Sequence, residues 1–191
     1  MSPASRGTLD AFLRRRLDSS EGREVLAWVE GALEVAPTLR YGRVTRALAA
    51  VRLGVPPEEA ASDLEWREFE GFCAALFKAK GFDVLENVTT TRPRVQVDLL
   101  ARSSSITLIV DCKHWRRAMG ASSLSRVVAS QARRADLLRT KMEGLEPVVV
   151  VILSMADEQA RYVDGAAVVP VFALADFLEN LAGYTQGLPH H

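Results

Sequence analysis

Residues 95–117 read VQVDLLARSSSITLIVDCKHWRR, and this stretch decides how the rest of the chain is read. It divides into two strands joined by a polar turn at Ser103-Ser104-Ser105. The first carries a single acid, Asp98, among Val97, Leu99 and Leu100. The second, residues 106–113, runs through Leu108, Ile109 and Val110 and ends in Asp111-Cys112-Lys113. Side chains of a strand alternate faces, so Asp111 and Lys113 point the same way, roughly 7 Å apart along the chain. Cys112 points to the other face with Val110 and Leu108. A carboxylate and an ammonium thus leave one end of an apolar strand, with a second carboxylate on the strand before it. Charges in such a place need partners or a task.

Working outward, the residues upstream predict a strand over 82–87 and then a polar, Thr-rich loop over 88–94 that carries Arg92 and Arg94. Before these, Ser62 and Glu65 have the spacing of a capping box, opening an amphipathic helix over about 63–80. Its buried stripe is Phe69, Cys73, Leu76 and Phe77, Gly81 closes it, and Glu70 lies at the border of the stripe. Downstream come His114, Trp115, Arg116 and Arg117. His114 alternates away from Lys113 and reads as a structural histidine. Ser122 or Ser123 then caps a long helix to about Met142, with Leu124, Val127, Val128, Ala135, Leu137 and Leu138 apolar and Gln131, Arg133 and Arg134 near its middle. Residues 148–153 predict a strand buried on both faces. A short helix over 157–164, a strand over 167–172 and a terminal helix over 176–181 follow.

The ordered set of Glu70 on a helix, Asp98 on a strand, Asp111-Cys112-Lys113 on the next and a basic helix after it resembles the PD-(D/E)xK nucleases. The run from Phe69-Glu70 through Gly81-Phe82-Asp83-Val84 to Lys113 is most similar to their Mrr-like and archaeal Holliday-junction-resolvase-like branches. Residues 63–180 carry the likeness. Val97 stands where the motif's name has Pro. The resemblance implies an α/β fold, a restriction-endonuclease-like mixed central sheet flanked by helices. It implies a metal-dependent DNA endonuclease that hydrolyses phosphodiester bonds, of restriction or junction-resolving type. Catalytic roles carry over to Glu70, Asp98, Asp111, Lys113 and Gln131. Metal binding carries over to Asp98, Asp111, the Cys112 carbonyl and Glu70, with Mg2+ as the natural ion and Mn2+ as its substitute. Hard carboxylate oxygens suit such ions. Two other readings use the same residues: a catalytically inactive nucleic-acid-binding protein on this scaffold, and a buried ion-pair cluster in an unrelated enzyme or interaction module.

Net charge is zero over 191 residues, but its distribution is uneven. Residues 101–141 hold nine basic and two acidic side chains, and residues 142–191 one basic and seven acidic. A basic block of this kind is the footprint of a nucleic-acid partner, and Arg92, Arg94, Arg116, Arg117, Arg133 and Arg134 are the candidate DNA contacts. Twenty of the 24 basic residues are Arg, suited to bidentate phosphate contacts, although a GC-rich genome produces the same bias. Two cysteines make neither a disulfide framework nor a metal-ligand spacing, no apolar run is long enough to span a bilayer, and no signal-peptide core opens the chain. The expectation is a cytoplasmic protein without a membrane partner.

Helix-like patterns at 8–18, 20–35 and 41–53, punctuated by Pro37, Pro56 and Pro57, predict an all-helical N-terminal region over 1–62. It reads either as a helical cap or dimerisation element or as a helix-turn-helix reader. The nuclease domain is expected over 63–183 and a tail over 184–191, where His190 and His191 have the look of a tag remnant. Paired cuts need two sites and the nuclease part supplies one, so a homodimer is expected, braced by Leu26, Val29 and Leu33.

Overall fold

Asp111, Cys112 and Lys113 are the last residues of a central strand, as their alternation predicts. The computed structural model describes residues 16, 19–33, 42–115, 117, 119–145, 147–155 and 159–181. Most of the helix expected over 8–18, Pro37, Arg116 and the 184–191 tail lie outside them. The chain divides after Ala79 into two units.

The second unit is built on a six-stranded mixed sheet. Its strands are β1 (Asp83–Thr91), β2 (Arg94–Arg102), β3 (Thr107–Lys113), β4 (Val148–Ser154), β5 (Arg161–Val163) and β6 (Ala166–Pro170), in the order β1-β2-β3-β4-β6-β5. β1, β2 and β3 form an antiparallel meander. β3, β4 and β6 run parallel, with Asp111 beside Ile152 and Lys113 beside Ser154. Parallel neighbours need a crossover. Here the helix Ala121–Arg139 supplies it between β3 and β4. A short helix, Leu174–Glu179, follows β6 and buries Leu174 and Phe177.

The crossover helix lies against one face of the sheet through two apolar clusters. Leu124 and Val128 pack with Ile152, Ala166 and Val168 near its start. Ala135 and Leu138 pack with Val97, Leu100 and Ile109 near its end. The helix is therefore pinned at both ends, and its middle turn crosses the sheet beside Asp111. Strand residues of the other face, among them Leu99, Leu108, Val110, Val151 and Leu153, are also buried.

The first unit has four described helices: α1 (Ser20–Leu33), α2 (Arg43–Arg52), α3 (Pro57–Ala60) and α4 (Trp66–Ala79). We number the crossover helix α5 and the Leu174–Glu179 helix α6. The Arg52 guanidinium of α2 sits 5.6 Å over the Trp28 ring of α1. Val25 and Val29 of α1 are buried. Arg43 binds both Glu65 and Glu68, at 2.8 and 3.0 Å, and so ties the start of α2 to the start of α4. No helix among the described residues is long and apolar enough to cross a membrane.

Four local expectations are corrected. The helix expected from Ser62 begins at Trp66, because Glu68 reaches back to accept the Glu65 N–H at 2.8 Å, half of a capping box set three residues later. No side chain caps α5; Gly120 occupies the cap position instead of Ser122 or Ser123. The Thr-rich stretch over 88–94 is strand, with β1 and β2 paired out to Thr91 and Arg94 around a tip at Arg92-Pro93. Thr and Val favour strands, and Thr90 accepts the Val95 N–H at 3.2 Å across the turn. The helix expected at 157–164 gives way to the β5–β6 hairpin. Its two-residue turn is Asp164-Gly165, with φ of +47° and +84°, the left-handed pair that Asp-Gly supplies readily.

The register of α5 makes a direct prediction. Leu138 is fully buried while its neighbour Leu137 is 39% exposed. Leu138→Ala should cost about 2–5 kcal/mol and Leu137→Ala about 0.5 kcal/mol or less, read from urea unfolding of the two variants beside the wild type.

Candidate active site

The site forms where β2 and β3 part. Their ladder ends at the Leu99–Val110 pair, and one step further the same register sets Asp98 opposite Asp111. With the ladder ended, the Cys112 N–H donates to Asp98 Oδ2 at 2.8 Å, so a carboxylate stands where a strand partner would be. Asp111 faces α5 and its side chain is 3% exposed. Each of its oxygens meets a cation: Lys113 Nζ lies 2.6 Å from Oδ2 and Arg134 Nη1 lies 3.6 Å from Oδ1.

Burial pushes the Asp98 carboxyl above the ordinary aspartate value of 3.8, and the charge on Asp111 pushes it the same way. The Cys112 N–H, Lys113 and Arg134 pull it down without offsetting the rise. Two carboxylates therefore share a desolvated corner that resists a second negative charge. A hard cation would relieve that resistance, and the oxygen donors suit one. No group of three or more His, Cys, Asp or Glu placed to hold a metal occurs among the described residues. The two carboxylates fit an ion of the Mg2+ kind, which keeps several waters and takes few protein ligands.

Gln131 lies in the middle of the buried stripe of α5, formed by Leu124, Val128, Gln131, Ala135 and Leu138. It is 1% exposed. Its Oε1 accepts from Arg134 Nη1 at 3.4 Å, and its buried Nε2 has no hydrogen-bond partner. Leaving a buried donor in that condition costs about 1–3 kcal/mol. Arg134 follows one turn later at the margin of the stripe, where it reaches Asp111. Sequence reasoning set Arg134 among the DNA contacts and missed this position. Its i+3 spacing from Gln131 within a stripe of period 3.5 set it at the margin of the buried face, but not against Asp111.

Arg134 also lines a cleft of about 440 Å³ with Arg94, Val95 and Gln96 of β2 and Ser130, Arg133 and Leu137 of α5. Asp98, Asp111, Lys113, Gln131 and Arg134 are thus joined at one end of the second unit, and Arg94 and Arg133 border the adjoining cleft. Arg92 is exposed at the hairpin tip and is not among the cleft-lining residues; Arg117 is exposed. Arg116 lies outside the described residues. Cys112 turns its thiol into the core. Glu70 is a buried residue of α4, in the first unit.

The sequence profile of the Mrr catalytic family, described as a restriction endonuclease, matches residues 61–168, more than half of the chain. The protein belongs to this family. Its mixed sheet with flanking helices is the restriction-endonuclease-like fold, and its motif is that of a PD-(D/E)xK nuclease. An uncharacterized protein of Archaeoglobus fulgidus is 30% identical over 129 residues, which cover 63% of this chain and 95% of that protein. No solved structure matches the chain.

The raised Asp98 value fixes the sign of a pH effect. Below 3.8 the carboxyl is neutral folded or unfolded, and the folded state bears no penalty. As pH rises through the raised folded value, the ionised group destabilises the cation-free fold. Asp98→Asn keeps an acceptor for the Cys112 N–H and removes the charge. In EDTA it should melt above wild type at neutral pH, and the gap should close as pH falls toward 3.8. Thermal scans across that range check it. Gln131→Leu should likewise stabilise the fold by about 1–3 kcal/mol in urea titrations, because it removes the unsatisfied amide from an apolar stripe.

Proposed function

We propose that the protein is a divalent-cation-dependent DNA endonuclease, with Mg2+ as the ion and Mn2+ as a substitute. The observation that carries this reading is the Asp98–Asp111 pair, with Lys113 2.6 Å from Asp111, opening beside an arginine-lined cleft. Membership of the Mrr catalytic family supports nuclease chemistry.

Asp98 and Asp111 would hold the ion, together with the Cys112 carbonyl and Glu70 as the family likeness implies. When bound, the ion polarises the phosphate and makes a bound water more acidic. The protein's own groups do the remaining work. Lys113 Nζ, anchored by Asp111, positions the attacking water and donates to a phosphoryl oxygen as negative charge grows there. Gln131 Nε2 offers a preset donor to an oxygen at the same end of the sheet. Arg94 and Arg133 hold the phosphodiester backbone along the cleft, which sets the direction in which the strand passes the carboxylates. Water oxygen bonds to phosphorus as the bond to a deoxyribose oxygen breaks; the attacking water gives up a proton to solvent, and the leaving oxygen takes one.

In this reading the catalytic domain spans residues 63–183, and paired cuts on a duplex or junction come from a homodimer. Leu26 is half-buried and Val29 is buried within the chain, so α1 would brace the two-fold interface more than form it.

The test is cleavage of supercoiled, linear, nicked, flapped and four-way DNA with Mg2+ and with EDTA. Wild type should cut at least one form only with the ion, and the preferred form distinguishes a restriction-type enzyme from a junction resolvase. Asp111→Asn and Lys113→Ala should each lower the rate by ~10²–10³ while retaining the fold by circular dichroism. DNA binding without cleavage in any form would replace this reading with that of a binding protein on a nuclease scaffold.

A further inference from the structure

Asp111 carries two cationic partners of unequal grip. Lys113 is held at 2.6 Å and is 28% exposed. Arg134 stands 3.6 Å away, is 44% exposed, and meets its neighbour Gln131 at 3.4 Å. Close, shielded ion pairs persist, and longer, solvated ones exchange readily. Among the described residues Arg134 alone belongs both to the carboxylates and to the cleft that Arg94 and Arg133 line.

The charges in the corner make this double membership consequential. Asp98 and Asp111, when ionised, are balanced by Lys113 and Arg134, so the site is electrically neutral without a metal. A dication entering that arrangement meets two positive charges already in place. If Arg134 leaves, the corner returns to net negative and accepts the ion. A phosphodiester in the cleft gives the departing guanidinium a partner of matching bidentate geometry.

We infer that Arg134 couples the two ligands: with the cleft empty it neutralises Asp111 and opposes divalent-cation binding, and a DNA phosphate in the cleft draws it off and admits the ion. This rests on the proposed nuclease reading and adds a regulation of the same site: the ion is taken up chiefly when DNA is in place. Coupling of this kind is reciprocal, so the ion must tighten DNA binding by the same factor that DNA tightens ion binding.

The test uses the 191-residue chain and two binding measurements that do not depend on turnover. Mn2+ affinity without DNA is read from the spin-resonance signal of the free ion. Duplex affinity is read from fluorescence anisotropy with and without Ca2+. Arg134→Gln should bind Mn2+ alone about five- to tenfold more tightly than wild type, and Ca2+ should tighten its DNA binding less than it does for wild type. A gain in affinity is not what a damaged fold produces. Arg126→Gln, which removes a positive charge from the same helix outside the cleft, should leave Mn2+ affinity near wild type. An equal gain in Arg126→Gln would assign the effect to net charge and overturn the inference. Asp111→Asn separates the remaining failures. If it binds Mn2+ like wild type, the carboxylates are not the ion site, and the inference falls with the reading beneath it. If it loses the ion while Arg134→Gln binds no more tightly than wild type, the ion site stands and the coupling alone is wrong.

Discussion

The structure depends on keeping one carboxylate, Asp111, out of water. Its strand is central in a mixed sheet and its side chain faces a helix, so solvent cannot hydrate it. An unpaired charge in that position is untenable. Lys113 on the same strand and Arg134 on α5 answer it from two sides. The geometry of α5 follows from the same need. Its two ends are fixed by apolar clusters on either side of the carboxylate, so the turn holding Gln131 and Arg134 arrives over Asp111 in a set rotation. Were the helix turned by one residue, Gln131 would leave the buried stripe and Arg134 would lose the carboxylate.

The features that the proposed chemistry would use are those that weaken the fold. Asp98 ionises against burial and against Asp111, and Gln131 interrupts an otherwise apolar stripe with an unsatisfied donor. A sequence optimised for stability alone would place Asn or a small apolar residue at the first position and Leu at the second. Local conflict of this kind marks functional sites more often than structural ones. It also gives the family likeness a physical counterpart, since the stability cost falls on two residues that the PD-(D/E)xK pattern assigns to the reaction.

How much of this was legible in the sequence varied with how local the cause was. Strand alternation alone set Asp111 and Lys113 on one face, and the two strands, the polar turn between them and the long helix after them stand where they were expected. The strand expected over 167–172 stands as β6, while β5 replaces the end of the helix expected over 157–164, because the Asp164-Gly165 turn, the strongest short signal in that stretch, sets a hairpin there. Only the outer part of the β1–β2 arm, residues 88–94, departs from expectation: its three threonines are polar residues but also strand formers. Gln131 was noticed by likeness, yet its spacing from Leu124, Val128, Ala135 and Leu138 already set it inside the stripe. The place of Arg134 could not be read from helix spacing alone. Its contact depends on the crossing of α5 over β3, a relation between residues 23 positions apart that only the assembled sheet fixes.

The charge pattern shows the same limit in another form. Nine cations in residues 101–141 suggest a broad basic face, but several of them make contacts within the fold. Arg102 donates to the Gly144 carbonyl at 2.9 Å, Arg126 turns back on Ser122 and Ser123, Arg139 pairs with Asp136 on its own helix, and Lys113 belongs to Asp111. Arg133 and Arg134 reach the cleft, and there they meet Arg94, which lies outside the block altogether. The electrostatic feature available to a phosphate backbone is thus narrower than the sequence count implies, and it is assembled from a strand and a helix that are separate in sequence. Its position matters more than its size. One of its three guanidiniums is already paired with Asp111, so in the proposed reading a backbone phosphate arriving in the cleft bears directly on the charge balance of that corner.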